Sequence, residues 1–326
     1  MNDVLIIGCG AIAGGYDEGR DDGVIRTHAK AFSRHPGFRP TACVEPDADR
    51  RAAFMAAWGI PEGFASLDEV AHRRFAVACV CGPTATHAEI LARLLDMDVA
   101  VVLAEKPLTE DTAGAARLVA AYAERGRALA VNYLRRFDPA MTALKHDIAS
   151  GQLGTLQAAV GYYTKGMLNN GSHMVDLLQH LAGPLEPESV HRALVDYHSD
   201  DPTLDCTLTT ASGAPVHLHG LDRNAFTIFE LDLMFEYQRV HLLDSGFVIS
   251  RQHVVDSPVF TGYRVLSPAE AEPTQFDQAF AQVAEAVHRH LQTGAPLAST
   301  GESALAAQAV CTRLIAMARQ QGALTA

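Results

Sequence analysis

Apolar and polar positions divide the chain into two halves with different periods. In the first half, short apolar runs recur at Asp3 to Ile7, Arg39 to Val44, Phe75 to Val80, Val99 to Ala104 and Ala128 to Val131, and each reads as a buried strand. Helical signals lie between them, over Thr27 to Phe32, Ala85 to Leu95 and Thr112 to Arg125. This alternation predicts an α/β, doubly wound parallel sheet with crossover helices. Beyond Thr155 the period shortens. Gln157 to Thr164, Asp205 to Thr210, Pro215 to Gly220, Ile228 to Phe235 and Arg239 to Leu243 alternate apolar and polar residues between turn residues. Hairpins and a meander follow, hence an α+β domain with a mostly antiparallel open sheet. Helices over Phe276 to Leu291 and Glu302 to Gln320 close the chain. The boundary is expected near Val131 or Asn132, giving domains 1–131 and 132–326.

The first strand runs into Gly8-Cys9-Gly10-Ala11-Ile12-Ala13, a G-x-G-x-x-A loop. In such a loop the first glycine makes a tight turn, the second lets backbone approach a pyrophosphate, and a small third residue packs against the sheet. The second strand ends in Glu45, whose carboxylate could accept hydrogen bonds from an adenosine ribose and would repel a 2'-phosphate. NAD is therefore favoured over NADP, with Arg50 and Arg51 just downstream keeping NADP open. Gly14 to Gly23 carries glycines and carboxylates that cannot propagate a helix cheaply, so the clear helix is expected to start near Thr27. That insertion reads as a surface loop, or as a lid carrying Tyr16 and His28 toward a substrate.

At the end of the fourth apolar run stands Glu105-Lys106-Pro107. The carboxyl edge of such a sheet is where ligands bind, and proline bars its predecessor from helical backbone, so Lys106 should extend across that edge as a proton donor. The alternative for a lone Lys-Pro pair is a surface lysine.

In order, Gly8 to Ala13, Cys81-Gly82-Pro83-Thr84-Ala85-Thr86-His87, Glu105-Lys106-Pro107, Asn132 to Phe137 and Gly171-Ser172-His173-Met174-Val175-Asp176 resemble the glucose-fructose oxidoreductase, inositol dehydrogenase and MocA group of nicotinamide-dependent oxidoreductases. The resemblance implies a Rossmann domain over 1–131 and a substrate-binding, oligomerising domain over 132–326. It implies cofactor contacts from Gly8, Gly10, Ala11, Ile12, Ala13, Glu45, Pro83, Thr84, His87 and Glu105. It also implies hydride transfer at a carbinol carbon, with Lys106 and His173 managing the proton. Oxidation then needs a neutral Lys106 amine, its pKa brought down from about 10.4 toward roughly 7 or 8.

Many members of this group carry aspartate four positions before the histidine; here the residue is Asn169, which can orient a hydroxyl but cannot take a proton. Tyr163 and Lys165 are candidate substitutes, and Asp176 lies one turn beyond His173. Tyr133, Arg136, Lys165, Asn169 and Asp176 supply the hydrogen-bonding groups that a sugar, cyclitol, sugar acid or sugar nucleotide requires. A catalytically silent dinucleotide-binding sensor or partner protein is the alternative reading, which Asn169 keeps open.

Composition sets outer bounds. A length of 326 residues with 48% hydrophobic content suits two domains with real cores. No apolar run of about 18 residues and no basic leader is seen, so a cytoplasmic protein without a membrane span is expected. A net charge of -12 opposes nucleic acid and anionic membranes, leaving a small-molecule substrate and other copies of the chain, as a dimer or tetramer, as partners. The six cysteines show no C-x-x-C spacing and read as reduced and structural. His217 and His219 share a strand face without an accompanying carboxylate or thiol cluster, so no metal is expected.

Overall fold

A computed structural model describes residues 1–322, which fall into two compact units: Met1–Phe137 with Asp277–Leu305, and Asp138–Phe276 with the residues from Ala306 onward. In the first unit the apolar runs form β1 (Asn2–Ile7), β2 (Phe38–Val44), β3 (Glu62–Phe64), β4 (Arg74–Val80), β5 (Asp98–Ala104) and β6 (Ala128–Val131). All are parallel, in the order β3-β2-β1-β4-β5-β6. The order reverses between β1 and β4, and such a switch point opens a crevice beyond the strand ends.

Alternate residues of each strand face opposite sides, so both faces must be covered. Leu5, Ile7, Ala42, Val44, Ala78 and Val80 form one core with Leu91 and Leu94 of α3 (Thr84–Leu94) and Ala115 and Val119 of α4 (Thr112–Glu124). Val4, Ile6, Cys43, Val77 and Cys79 form the other, with Ala29 and Phe32 of α1 (His28–Arg34) and Phe54 of α2 (Ala48–Trp58).

This second face is completed from far along the chain. Phe280, Val283, Ala284 and Val287 of α7 (Ala279–Thr293) repeat at helical spacing and enter the same core. A single cut near Val131 therefore misses a return segment. Its physical reason is coverage: α1 has only 7 residues, too few to close one face of a six-stranded sheet.

The second unit holds β7 (Leu156–Thr164), β8 (Leu185–His198), β9 (Asp201–Thr210), β10 (Pro215–Leu221), β11 (Phe229–Phe235), β12 (Gln238–Leu243), β13 (Val248–Asp256), β14 (Arg264–Leu266) and β15 (Glu270–Pro273). These make a nine-stranded sheet in which only the β7–β10 pair is parallel among the described residues. One face packs on α5 (Pro139–Ala149), α6 (Ser172–Ala182) and the later turns of α8 (Gly301–Gln320), through Leu144, Leu177, Leu178, Leu231, Leu233, Val240 and Leu314. The other is polar, with His219 stacked on Tyr162 and Arg239 paired with Asp232. No described helix is long and apolar enough to cross a membrane.

Candidate active site

Gly8 follows β1 with φ +85°, and a Cβ there would stand 2.6 Å from the backbone N of Gly82. Only glycine lets the loops after β1 and β4 approach so closely. A Cβ on Gly10, by contrast, would meet nothing within 4 Å. The N–H groups of Gly10, Ala11 and Ile12 donate to no backbone carbonyl among the described residues. Ala13 is fully buried, and the Ile12 and Ala13 carbonyls accept from His28 and Ala29 at 3.3 and 2.8 Å. The first turn of α1 is thus closed by the loop itself, leaving the loop's own N–H groups as the donors available to an anion.

Next to this loop lies a cleft of about 450 Å³ lined by Gly8, Val44, Glu45, Arg50, Ser66 and Pro83, among others. Glu45 is buried, and its carboxylate accepts from Cys9 N at 3.0 Å and Asp47 N at 3.2 Å. Arg51 is turned onto the carbonyl oxygens of Glu45 and Pro46, while Arg50 stays exposed 3.5 Å from the Glu45 carboxylate. Pro83 caps α3 and Thr84 opens it.

His87 departs from expectation. It is 1% exposed, with Nδ1 2.9 Å from Pro107 O and Nε2 2.9 Å from Gly82 O. Each ring nitrogen faces a backbone carbonyl oxygen, so a ring N–H donating to one or the other ties His87 to the loop after β4 or to the turn after β5.

The insertion after Ala13 is folded around a buried acid. Asp17 accepts from Arg26 N and Thr27 Oγ1, both at 2.8 Å, and pairs with the buried Lys30 ammonium at 3.3 Å. Tyr16 points to solvent, whereas His28 is buried. His28 Nε2 donates to Glu105 Oε1 at 2.8 Å, and Asn132 Nδ2 donates to the same oxygen at 2.7 Å. This His28–Glu105–Asn132 cluster escaped sequence reasoning, because the insertion hides the distance of His28 from the glycine loop. It underpins the half-buried Lys106, whose bond to Pro107 is cis.

Burial pushes the Glu105 carboxyl upward, yet the His28 hydrogen bond and charge, the Asn132 amide and the Lys106 charge outweigh it and hold the group below its ordinary value of 4.5. A lowered acid adds stability that is complete above its unfolded value and is lost as pH falls through the folded one. Urea unfolding of wild type and Glu105→Gln is therefore expected to differ most above pH 4.5 and to converge below it.

Two residues expected at the substrate are buried. Tyr133 is 2% exposed within an apolar cluster, and Arg136 is 7% exposed with Nη1 donating to Ala298 O at 3.3 Å. Arg136 thereby ties the return segment to the turn after β6.

In the second unit, one π-helical turn, Gly166–Gly171, leads into α6. A Cβ on Gly171 would come within 2.8 Å of the Tyr163 ring, so glycine is required where the turn crosses β7. Asp201 fixes the turn by accepting from Leu168 N at 2.6 Å and Asn169 N at 2.9 Å. The Asn169 amide donates to Lys165 O at 3.2 Å. His173 is half-buried on the first turn of α6, and Asp176 is buried one turn on.

Tyr163 is not available as a substitute acid. It is fully buried, its hydroxyl donates to Leu204 O and accepts from Leu204 N, and burial pushes its pKa well above the phenol range.

Residues 3–133 match the model of an oxidoreductase family with an NAD-binding Rossmann fold, GFO_IDH_MocA. Over this segment the chain is similar to the Gfo/Idh/MocA family. Inositol 2-dehydrogenase of Leifsonia xyli subsp. xyli is 36% identical over 160 residues, 45% of this chain and 47% of that protein. The matched stretch is thus about half the length of that curated relative. Inositol 2-dehydrogenase of Rhizobium meliloti is 25% identical over 320 residues, 90% of this chain and 94% of its own length. A 3-ketoreductase from Actinomadura kijaniata, solved in complex with NADP and TDP-benzene, shares the fold with a TM-score of 0.75 at 19% identity, covering 96% of each chain. The glycine loop and Glu105-Lys106-Pro107 both lie inside the segment that the Gfo/Idh/MocA family model covers.

Proposed function

We propose that the protein is an NAD(P)-dependent oxidoreductase acting on a secondary alcohol or keto group of a sugar, a cyclitol or a derivative of either. The first unit would hold the dinucleotide and the second the substrate. The observation that carries this reading is the pairing of an open glycine cradle with Lys106 at the carboxyl edge of one sheet.

The residues present fit a dinucleotide. Gly10 leaves room where a Cβ would otherwise stand, three loop N–H groups are available to a pyrophosphate, and Glu45 lines the neighbouring cleft. Gly8, Gly10, Ala11, Ile12, Ala13, Glu45, Pro83 and Thr84 would hold the cofactor, which when bound supplies the ring that gives or takes the hydride. Glu105 keeps a negative charge beside Lys106, and Lys106 delivers the proton to, or accepts it from, the substrate oxygen. His173 assists from α6, and Asp176 orients it or a substrate hydroxyl. Asn169 positions without titrating, so the proton is handled by Lys106 and His173.

NAD is the preferred cofactor, because the Glu45 carboxylate would repel a 2'-phosphate and Arg51 is turned away onto backbone carbonyls. NADH is expected to bind more tightly than NADPH, and Glu45→Ala should narrow the gap by about tenfold, as removal of one close like charge permits. Equal affinities in the wild type would refute the preference.

The protein is further read as a cytoplasmic homo-oligomer. Its described cysteines are all free and buried, a state that a reducing compartment would preserve, and Val259, Phe260 and Tyr263 stand more than 60% exposed beyond β13.

Asn169 favours one competing reading, a sensor that binds dinucleotide without turnover. Incubation with NADH and a panel of keto sugars, following loss of reduced-nicotinamide absorbance, separates the two. Binding without oxidation of NADH across the panel would select the sensor.

A further inference from the structure

Lys165 adopts a left-handed backbone with φ 72°, uncommon outside glycine. It is held there by Asp196, 7% exposed, whose Oδ2 accepts from Lys165 N at 3.0 Å. The same oxygen accepts from Arg223 N at 3.0 Å, while Oδ1 accepts from Thr203 Oγ1 at 2.6 Å. One buried carboxylate therefore fixes the backbone of two cationic residues. Their side chains converge on a single aromatic ring: Lys165 Nζ lies 5.2 Å and Arg223 Cζ 5.3 Å from the centroid of Tyr197, which is 47% exposed. Both are within cation–π range.

Like charges sharing one ring repel unless an anion joins them. Among the described residues, neither cation has a carboxylate in ion-pair range. Asp201 is spent on the Leu168 and Asn169 N–H groups and Asp222 on Asn224 N. In a chain of net charge -12, two unpaired cations built on one buried support are a departure that a ligand would explain.

We infer that Lys165, Arg223 and Tyr197 form a subsite for an oxyanion on the substrate, which is therefore a negatively charged sugar derivative, bearing either a phosphoryl group or a carboxylate. This inference rests on the reading of the turn before α6 as the substrate site, and it adds Arg223 and Tyr197 to that site. Asp196 positions the clamp and does not touch the ligand.

The test is calorimetric titration of the full-length protein saturated with NADH, so that the dinucleotide cleft is filled, using inorganic pyrophosphate, glucuronate and myo-inositol as probes. At least one anion is expected to bind, with affinity falling steeply as salt is raised. Arg223→Ala and Lys165→Met should each weaken that anion about tenfold, the scale of one charge-assisted hydrogen bond, and Arg223→Lys should restore most of it. Pyrophosphate binding assigns the phosphoryl class, and glucuronate binding assigns the carboxylate class. Failure of both anions to bind overturns the subsite, as does unchanged affinity in Arg223→Ala with NADH binding intact. Anion binding by a wild type that turns over no substrate would refute the oxidoreductase reading and leave the subsite standing.

Discussion

Replacing Lys106 with Met is expected to reduce turnover by about 10²- to 10⁴-fold, the usual contribution of one positioned proton donor, while NADH affinity stays within about twofold of wild type. Methionine keeps the unbranched length of the lysine stem and removes only the ammonium. Lys106 follows β5, and its neighbour Glu105 is braced by His28 and Asn132 at 2.8 and 2.7 Å. Both braces remain when the ammonium is removed, so the turn after β5 should keep its shape. Steady-state kinetics with fluorescence titration of NADH checks both halves of this expectation. A variant with full turnover would remove Lys106 from the mechanism. Lost cofactor affinity would mean that the residue serves binding.

A second large effect is expected at Gly8. Its backbone has φ +85°, and a side chain there would meet Gly82 N at 2.6 Å, Gly82 Cα at 2.7 Å and Cys81 C at 3.0 Å. These are backbone atoms that cannot rotate away. Gly8→Val combines backbone strain with overpacking and should cost roughly 2–6 kcal/mol of stability. Gly10→Ala supplies the contrast, since its Cβ has open space within 4 Å. It should fold normally and lose about tenfold in dinucleotide affinity, because the methyl stands where the pyrophosphate would approach. Thermal unfolding and NADH titration of the two variants separate a glycine required by the fold from one required by the ligand. If Gly10→Ala bound NADH as tightly as wild type, the cradle would be misplaced.

These expectations also show where residue patterns carry information and where they stop. Strands β1, β2, β4, β5 and β6 were legible because each is apolar on both faces, as a sheet covered twice must be. β3 was not, since its three residues Glu62–Phe64 form no apolar run. β8 lies at the sheet edge with many of its 14 residues outside the core, which erases the alternation that would have announced it. The return of α7 to the first unit was invisible for a different reason. Its apolar stripe tells that it packs, but not on which sheet.

The candidate site divides in the same way. Glycine positions and Glu105-Lys106-Pro107 could be read directly, because their backbone and chemical demands are local. Tyr133, Arg136 and His87 could not, because whether a polar side chain faces a ligand or braces a loop depends on burial, which distant segments decide. The pairing of His28 with Glu105 spans 77 residues of sequence and the Lys165–Tyr197–Arg223 group is spread over three segments. Neither leaves a spacing that a motif could capture.

The central claim is that the Lys106 ammonium stands beside the reacting carbon of a bound nicotinamide. A crystal structure of the protein with NADH measures this directly. The expected result is Lys106 Nζ within hydrogen-bond reach of an oxygen seated over nicotinamide C4. The contradicting result is a nicotinamide bound elsewhere, or another side chain occupying that position while Lys106 points into solvent.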